Sequence, residues 1–233
     1  MKNNWIRVGG VVMLLLAVGI LIYPVFGNWL SRNTQAELLS QYEVDMATLA
    51  DYEIEEMLRR ADEVNAVLSE LPEDEAFMLA HMADISDDYT EIINVAGMMG
   101  QLEIPVIDLL LPIFHTTNAD VLEIGVGHLE GTSFPVGGEG THAALTAHSG
   151  LATARLFSDL EGNIDIGDLF FINILNRRLA YEVDQILIVY PHEVESLRVV
   201  PGEDFVTLIT CTPYAINTHR LLVRGRRVHD TEF

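Results

Sequence analysis

The run VGGVVMLLLAVGILIYPVF, from Val8 to Phe26, contains no charged residue, and its length is close to the roughly 20 apolar residues a helix needs to cross a bilayer core. Trp5, Tyr23 and Trp29 border or flank it, as side chains with one apolar and one polar end do at a membrane interface. A cleavable signal sequence would also begin with basic residues such as Lys2 and Arg7. Its apolar core is shorter, however, about 7–15 residues, and a small-residue cleavage site follows it. The pattern here predicts an uncleaved anchor. Lys2 and Arg7 precede the span and the chain beyond Arg32 soon turns acidic, so the positive-inside bias predicts a cytoplasmic N-terminus with the remainder outside the cell.

From Thr34 to about Leu71 the period changes. Leu38, Leu39, Tyr42, Leu49, Ile54, Met57, Leu58, Ala61 and Val64 recur among acids at helical spacing, which predicts an N-terminal helix or helical stalk whose apolar stripe packs on something. Pro72 and the acids Glu73, Asp74 and Glu75 break that stripe, and a weaker helical stretch runs to about Ala96 before Gly97 and Gly100. Beyond Leu102 the chain becomes short apolar or alternating runs rich in Val, Ile, Phe and Thr. Strands are predicted around Leu102–Ile104, Ile107–Phe114, Ala143–Ala147, Leu169–Ile174, Arg178–Ile188, Phe205–Thr210 and Arg220–Arg227, with one brief helix near Thr153–Leu160. Many short strands and little helix point to a closed or nearly closed β-barrel. The expected organisation is therefore 1–33 for the cytoplasmic N-terminus and transmembrane anchor, 34–100 for an extracellular helical region, and 101–233 for a β-barrel domain.

Charge narrows the partners. Thirteen Lys and Arg stand against 35 Asp and Glu, a formal charge of -22; phosphate contacts need clustered cations, so no nucleic-acid partner is expected. Cysteine usage narrows the chemistry. A lone Cys211 cannot form an internal disulfide, which leaves an inert buried thiol, an intermolecular link or a reactive nucleophile.

Cys211 directly follows the apolar run Phe205–Thr210, a strand terminus from which a thiol can face a groove. A thiol near neutral pH is mostly protonated, so nucleophilic work requires an imidazole or a positive field beside it. Among eight histidines, His148 ends a predicted strand just before a Gly-containing turn, a rim position open to a structural or a chemical role. The segment after Cys211 reads as a turn and a returning strand, bringing Arg220 back alongside. A guanidinium there can hold an oxyanion or orient a carbonyl, or simply pair with one of the many acids.

The segment TLITC (Thr207–Cys211) has the form of the sortase TLxTC signature, and the chain resembles the pilin-type, class C members of that family. The resemblance extends through LEIPVIDLLLPIFHTT (Leu102–Thr117), GVGHLEGTSFPVGGEGTHAALTAHSGL (Gly125–Leu151) and LLVRGRR (Leu221–Arg227). It implies a mainly β, closed barrel of about eight strands with short helices. It implies that Cys211 is the nucleophile, His148 the general acid and base, Arg220 the holder of substrate or oxyanion, and Thr210 a residue that shapes the substrate site. His128, His142 and His219 lie within or beside the matched stretches but not at the family's catalytic position.

The activity implied is cleavage of an LPxTG-like sorting signal between Thr and Gly through a thioester, and transfer to an amine. A pilin lysine is the acceptor expected of a pilus-polymerising enzyme; a peptidoglycan precursor is the alternative, for a sortase that anchors surface proteins to the cell wall. A non-catalytic, membrane-tethered barrel that binds surface proteins is the reading outside enzymes. No cofactor and no metal is expected, since no His, Cys and carboxylate cluster has zinc-ligand spacing. Two departures from the pilin-type pattern stand out. The lid such enzymes commonly carry has an Asp-Pro-aromatic tip, whereas the nearest pairing here, Asp74 with Phe77, lacks the proline that would fix the turn. Many also end in a second apolar span, where this chain reaches Phe233 soon after its last predicted strand.

Overall fold

A computed structural model describes residues 2–70 and 87–228, with side chains described for 8–70 and 89–228. The segment holding Asp74 and Phe77 lies outside the described residues.

Two long helices come first, α1 (Lys2–Met46) and α2 (Asp51–Glu70), then a short α3 (Asp87–Glu91). The predicted helical stripe between Thr34 and Leu71 is split between α1 and α2. Thr48 Oγ1 bonds back to Asp45 O at 2.7 Å, closing one helix, and Glu53 accepts from the Ala50 amide at 2.8 Å, opening the next. Short polar side chains that capture nearby backbone groups compete with helix continuation in this way. On α1 the buried residues Gln35, Leu39 and Tyr42 follow helical spacing, and on α2 so do Ile54, Leu58, Ala61 and Asn65. Asn65 is tied to the barrel twice: its Nδ2 donates to Phe134 O at 3.1 Å and its Oδ1 accepts from Phe134 N at 2.6 Å.

The barrel strands are β1 (Gly100–Ile104), β2 (Leu109–Phe114), β3 (Val126–His128), β4 (Thr141–Thr146), β5 (Leu169–Ile174), β6 (Arg177–Val189), β7 (Asp204–Thr212) and β8 (His219–Val228), with a short helix α4 (Ala119–Ile124) between β2 and β3. They close in the order β1-β2-β3-β4-β7-β8-β6-β5. Closure removes every unpaired sheet edge. The strand expected from Ile107 begins at Leu109, because Pro105 opens a 3-10 turn that ends at Asp108 in the left-handed region, φ 50°. Three-residue β3 was not anticipated; it is too short to display an alternation.

Inside, Leu102, Leu111, Ile113, Leu145, Phe170, Ile172, Tyr181, Val206, Leu208 and Val223 form one continuous core. Outside, a second cluster of Ala144, Leu197, Ile209 and Leu222 covers the outer face of β4, β7 and β8. Both faces of β7 are thus apolar, which is why its sequence reads as an unbroken hydrophobic run before Cys211. Val206 and Leu208 face in, Ile209 faces out, and by the two-residue period of a strand Cys211 faces out with Ile209.

Candidate active site

Strand β7 lies between β4 and β8. It pairs in parallel with β4 from Thr141↔Asp204 to Thr146↔Ile209. Continued by two residues, that register puts His148 beside Cys211. On the other side β7 pairs antiparallel with β8, and Cys211 stands directly opposite Arg220. Paired residues on neighbouring strands point to the same face. Cys211 and Arg220 are therefore cross-strand neighbours on the outer surface, and His148 follows the end of β4 by two residues on the side where the continued register meets Cys211; all three are half-buried.

Where the β4 ladder stops, side chains take over the pairing. Ala147 N donates to Ile209 O at 3.2 Å, Thr210 Oγ1 donates to Ala147 O at 2.8 Å, and Ser149 Oγ donates to Cys211 O at 2.5 Å. Phe157 N then donates to His148 O at 3.0 Å. His148 is thus clamped to the cysteine strand through the residues before and after it. Thr210 is buried on the face opposite Cys211 and reaches the groove only through the backbone it holds. Ser149 was not singled out from the sequence; a hydroxyl after a strand-end histidine is a weak signal, and nothing in the sequence names its acceptor. A further contact unforeseen from the sequence joins Thr212 Oγ1 to Glu161 Oε1 at 2.8 Å.

The guanidiniums along β8 divide by partner. Arg224 is forked onto Asp184, both contacts 2.9 Å, and lies over the Phe205 ring; Arg226 approaches Asp184 and Glu203. Arg220 donates only to the carbonyls of Asn217 and His219, at 3.4 and 3.1 Å. Among the described residues it makes no ion pair, so its charge is available to an incoming group.

Beside Arg220 runs a groove of about 340 Å³ with Thr146, Ile209 and Leu222 among its lining, walled by Leu129 on one side and by Tyr190, Val194 and Leu197 of the β6–β7 connection on the other. Its lining mixes apolar side chains with Thr146, Glu193 and Arg220, the combination of apolar wall and a few polar groups that binding clefts use. A larger cavity, about 910 Å³, lies at the other end of the barrel around Arg177, Arg227 and Asp204. It holds neither thiol nor imidazole, and its Asp204 is occupied by Gly138 N at 2.9 Å and Tyr181 Oη at 3.0 Å; burial raises that carboxyl's pKa.

The histidines left aside in the sequence are engaged elsewhere. His142 uses Nδ1 on Arg198 O and Nε2 on Thr207 Oγ1, at 2.8 and 2.7 Å. His128 uses Nδ1 on Tyr89 Oη at 2.6 Å and Nε2 on Ser133 O at 2.9 Å. Burial pushes each of these imidazoles down to about 4, so both are neutral at pH 7. His219 packs its ring on Tyr190, centroids 4.7 Å apart. No cluster of His, Cys, Asp and Glu able to hold a metal ion occurs among the described residues.

A closed eight-stranded barrel with one thiol, one imidazole and one guanidinium on three successive strand ends belongs with the thiol-bearing β-barrels. Residues 102–228 match the sortase domain family, and the chain belongs to that family. Its solved structural neighbours are class C sortases. Sortase C1 of GBS pilus island 1 is 41% identical with a TM-score of 0.77, over 85% of this chain and 94% of that one. Sortase C of Streptococcus pneumoniae is 41% identical with a TM-score of 0.74, over 84% and 99%. Sortase D of Bacillus subtilis (strain 168) is 29% identical over 132 residues, 55% of this chain; the match spans 63% of that relative's length.

Proposed function

We propose that this protein is a membrane-anchored, exported cysteine transpeptidase that polymerises pili. It cleaves an LPxTG-like sorting signal between Thr and Gly and transfers the acyl group to a pilin lysine. The observation that carries the reading is the pairing of Cys211 with Arg220 across β7 and β8, with His148 held to the same cysteine strand by Ala147 and Ser149. Pilin as substrate rests on the likeness to the pneumococcal sortase C, whose structure is described as giving insight into pilin substrate specificity. The anchor rests on the one helix among the described residues long and apolar enough to cross a membrane, and its orientation on Lys2 and Arg7 preceding the span.

In this reading the groove holds the sorting signal extended across Ile209 and Leu222, carrying the Thr–Gly carbonyl to Cys211. The Cys211 thiolate attacks the carbonyl carbon, forming a C–S bond, and the oxyanion that develops is met by the Arg220 guanidinium. Collapse breaks the C–N bond, and His148 gives its proton to the departing glycine amine. The thioester keeps the free energy of the cleaved amide. An acceptor amine then attacks the thioester carbon, His148 takes its proton, and the Cys211 thiolate leaves. Thr210 shapes the site from behind, by fixing the carbonyl of the residue before His148. Water as acceptor yields the slower peptidase reaction.

The test incubates the full chain with a sorting-signal peptide and either a pilin subunit or a peptidoglycan-precursor amine, read by mass spectrometry. The expected result is a thioester on Cys211 and a lysine-linked pilin product. Transfer to the cell-wall amine alone would replace pilus assembly by surface-protein anchoring, and an unmodified Cys211 would leave a non-catalytic binding barrel.

A further inference from the structure

Helix α1 carries its apolar run straight onto the barrel. The side chains of Val8–Phe26 are exposed; Gly27, the next residue, is against the domain. A Cβ added there would lie 2.7 Å from Thr153 Cγ2 and 3.0 Å from Thr153 Cα, so only a glycine admits this approach. Asn28 follows with its side-chain oxygen buried at the same junction. From this point one face of the same helix stays on the barrel. Gln35 donates to Ile124 O at 3.0 Å, Leu39 is buried, and Tyr42 Oη accepts from Leu175 N at 3.0 Å. No linker separates the apolar span from the docked stripe.

The contact at Gly27 also fixes which end of the barrel faces the span. Thr153 belongs to the loop that His148 opens and that the Phe157 N to His148 O bond closes. Within this loop Gly150 abuts Tyr214 and Ala215, in the turn between Cys211 and Arg220, and Arg155 Nη2 donates to Ile107 O in the β1–β2 turn at 2.8 Å. Tyr42, far along α1, instead reaches Leu175 in the β5–β6 turn, at the opposite end of the barrel. Helix α1 therefore enters beside the catalytic end and runs toward the other. At about 1.5 Å per residue, Gly27 lies a single step beyond the apolar run, at the depth of the lipid headgroups. Val106, Tyr214 and Ile216 are apolar and exposed on this same rim.

We infer that the catalytic rim of the barrel rests on the headgroup layer of the bilayer its own helix crosses. The partner surface is lipid, met by the His148–Phe157 loop and the two neighbouring turns. The inference rests on reading α1 as a membrane anchor. It has a chemical consequence: the thiol works at the membrane boundary, where a substrate held by its own apolar segment is already concentrated and oriented. A soluble substrate has to reach the groove from the side.

The test uses the full chain carrying Cys211→Ala, reconstituted in phosphatidylcholine nanodiscs doped with a nickel-chelating lipid. Single nitroxide labels are placed on the rim (Val106→Cys, Tyr214→Cys), at the opposite end (Glu139→Cys, Asn176→Cys) and in the span (Leu15→Cys). Rim labels are expected to relax several-fold faster than far-end labels. Inserting about two helical turns (~7 residues, ~10 Å) after Phe26 is expected to abolish that difference. Far-end labels relaxing as fast as rim labels, with Leu15 shielded in lipid, would overturn the rim assignment alone. A Leu15 label open to a water-soluble relaxant would overturn the anchor reading and this inference together.

Discussion

Thr210→Val separates a residue that touches substrate from one that positions the imidazole. The replacement has nearly the same shape and removes only the hydroxyl that donates to Ala147 O at 2.8 Å. Both residues are buried, Thr210 at 2% and Ala147 at 3% exposure, so water cannot restore the lost bond. An orphaned buried carbonyl costs about 1–3 kcal/mol, and the thermal midpoint should fall accordingly. If half of that cost appears as misplacement of His148 in the transition state, about 1 kcal/mol converts to a roughly fivefold loss of kcat. KM should stay near that of the parent, because Ile209 and Leu222 keep the groove lining. The assay is steady-state transfer of a sorting-signal peptide to an amine, beside a melting curve of the same preparation. A raised KM with unchanged kcat would put the hydroxyl in contact with substrate and refute the positioning argument. A lowered midpoint with unchanged kinetics would make it structural only.

Four further outcomes are expected. Cys211→Ala should abolish the thioester with the fold intact, and His148→Ala should be nearly as severe, both read by mass spectrometry of the trapped intermediate. Arg220→Lys keeps the charge but loses the planar fork, so kcat should fall by about 10²–10³ while circular dichroism is unchanged. Gly225→Ala should destabilise by at least ~1–3 kcal/mol in denaturant titration, since the added Cβ would stand 2.4 Å from Phe170 Cε1 and 2.8 Å from Tyr181 Cβ. His115, His128 and His142 are each pushed to about 4, chiefly by burial, from an ordinary 6.5. At these three sites the unfolded chain then binds more protons than the folded one between those values, so their contribution to stability should fall as pH drops from about 6.5 to 4 and change no further below. Imidazole resonances that titrate near 6.5 in the folded protein would show that these rings are not buried neutral.

The elements that announced themselves in the sequence are those whose side-chain period is set by a single surface. The apolar span, the α2 stripe and strands such as Leu169–Ile174 are of this kind, because each offers one face or one environment to the chain. The break at Ala47–Ala50 was hidden, since hydrophobic spacing persists across it and only the local bonds of Thr48 and Glu53 interrupt the backbone. β3 escaped for a different reason. Val126–His128 pairs for two residues on each side, and its identity as a strand comes from neighbours distant in sequence, which no local pattern records.

The site divides along the same line. Cys211 and Arg220 belong to a hairpin, so a reader who recognises turn and returning strand can pair them from local order alone. His148 reaches Cys211 only through a parallel pairing of β4 with β7, and parallel neighbours need a long crossover that composition does not encode. That pairing is sustained at its end by Ser149 and Thr210, whose hydroxyls stand in for ladder bonds where the backbones diverge. Thr210 was visible as part of a recognisable motif, yet its work lies on the buried side of the strand. Ser149 belonged to no motif role and sits where the geometry needs a donor. A search for residues that hold such a site should therefore begin with the hydroxyls and amides next to each reactive strand end. Their targets are backbone carbonyls, a class of partner that leaves no trace in side-chain chemistry.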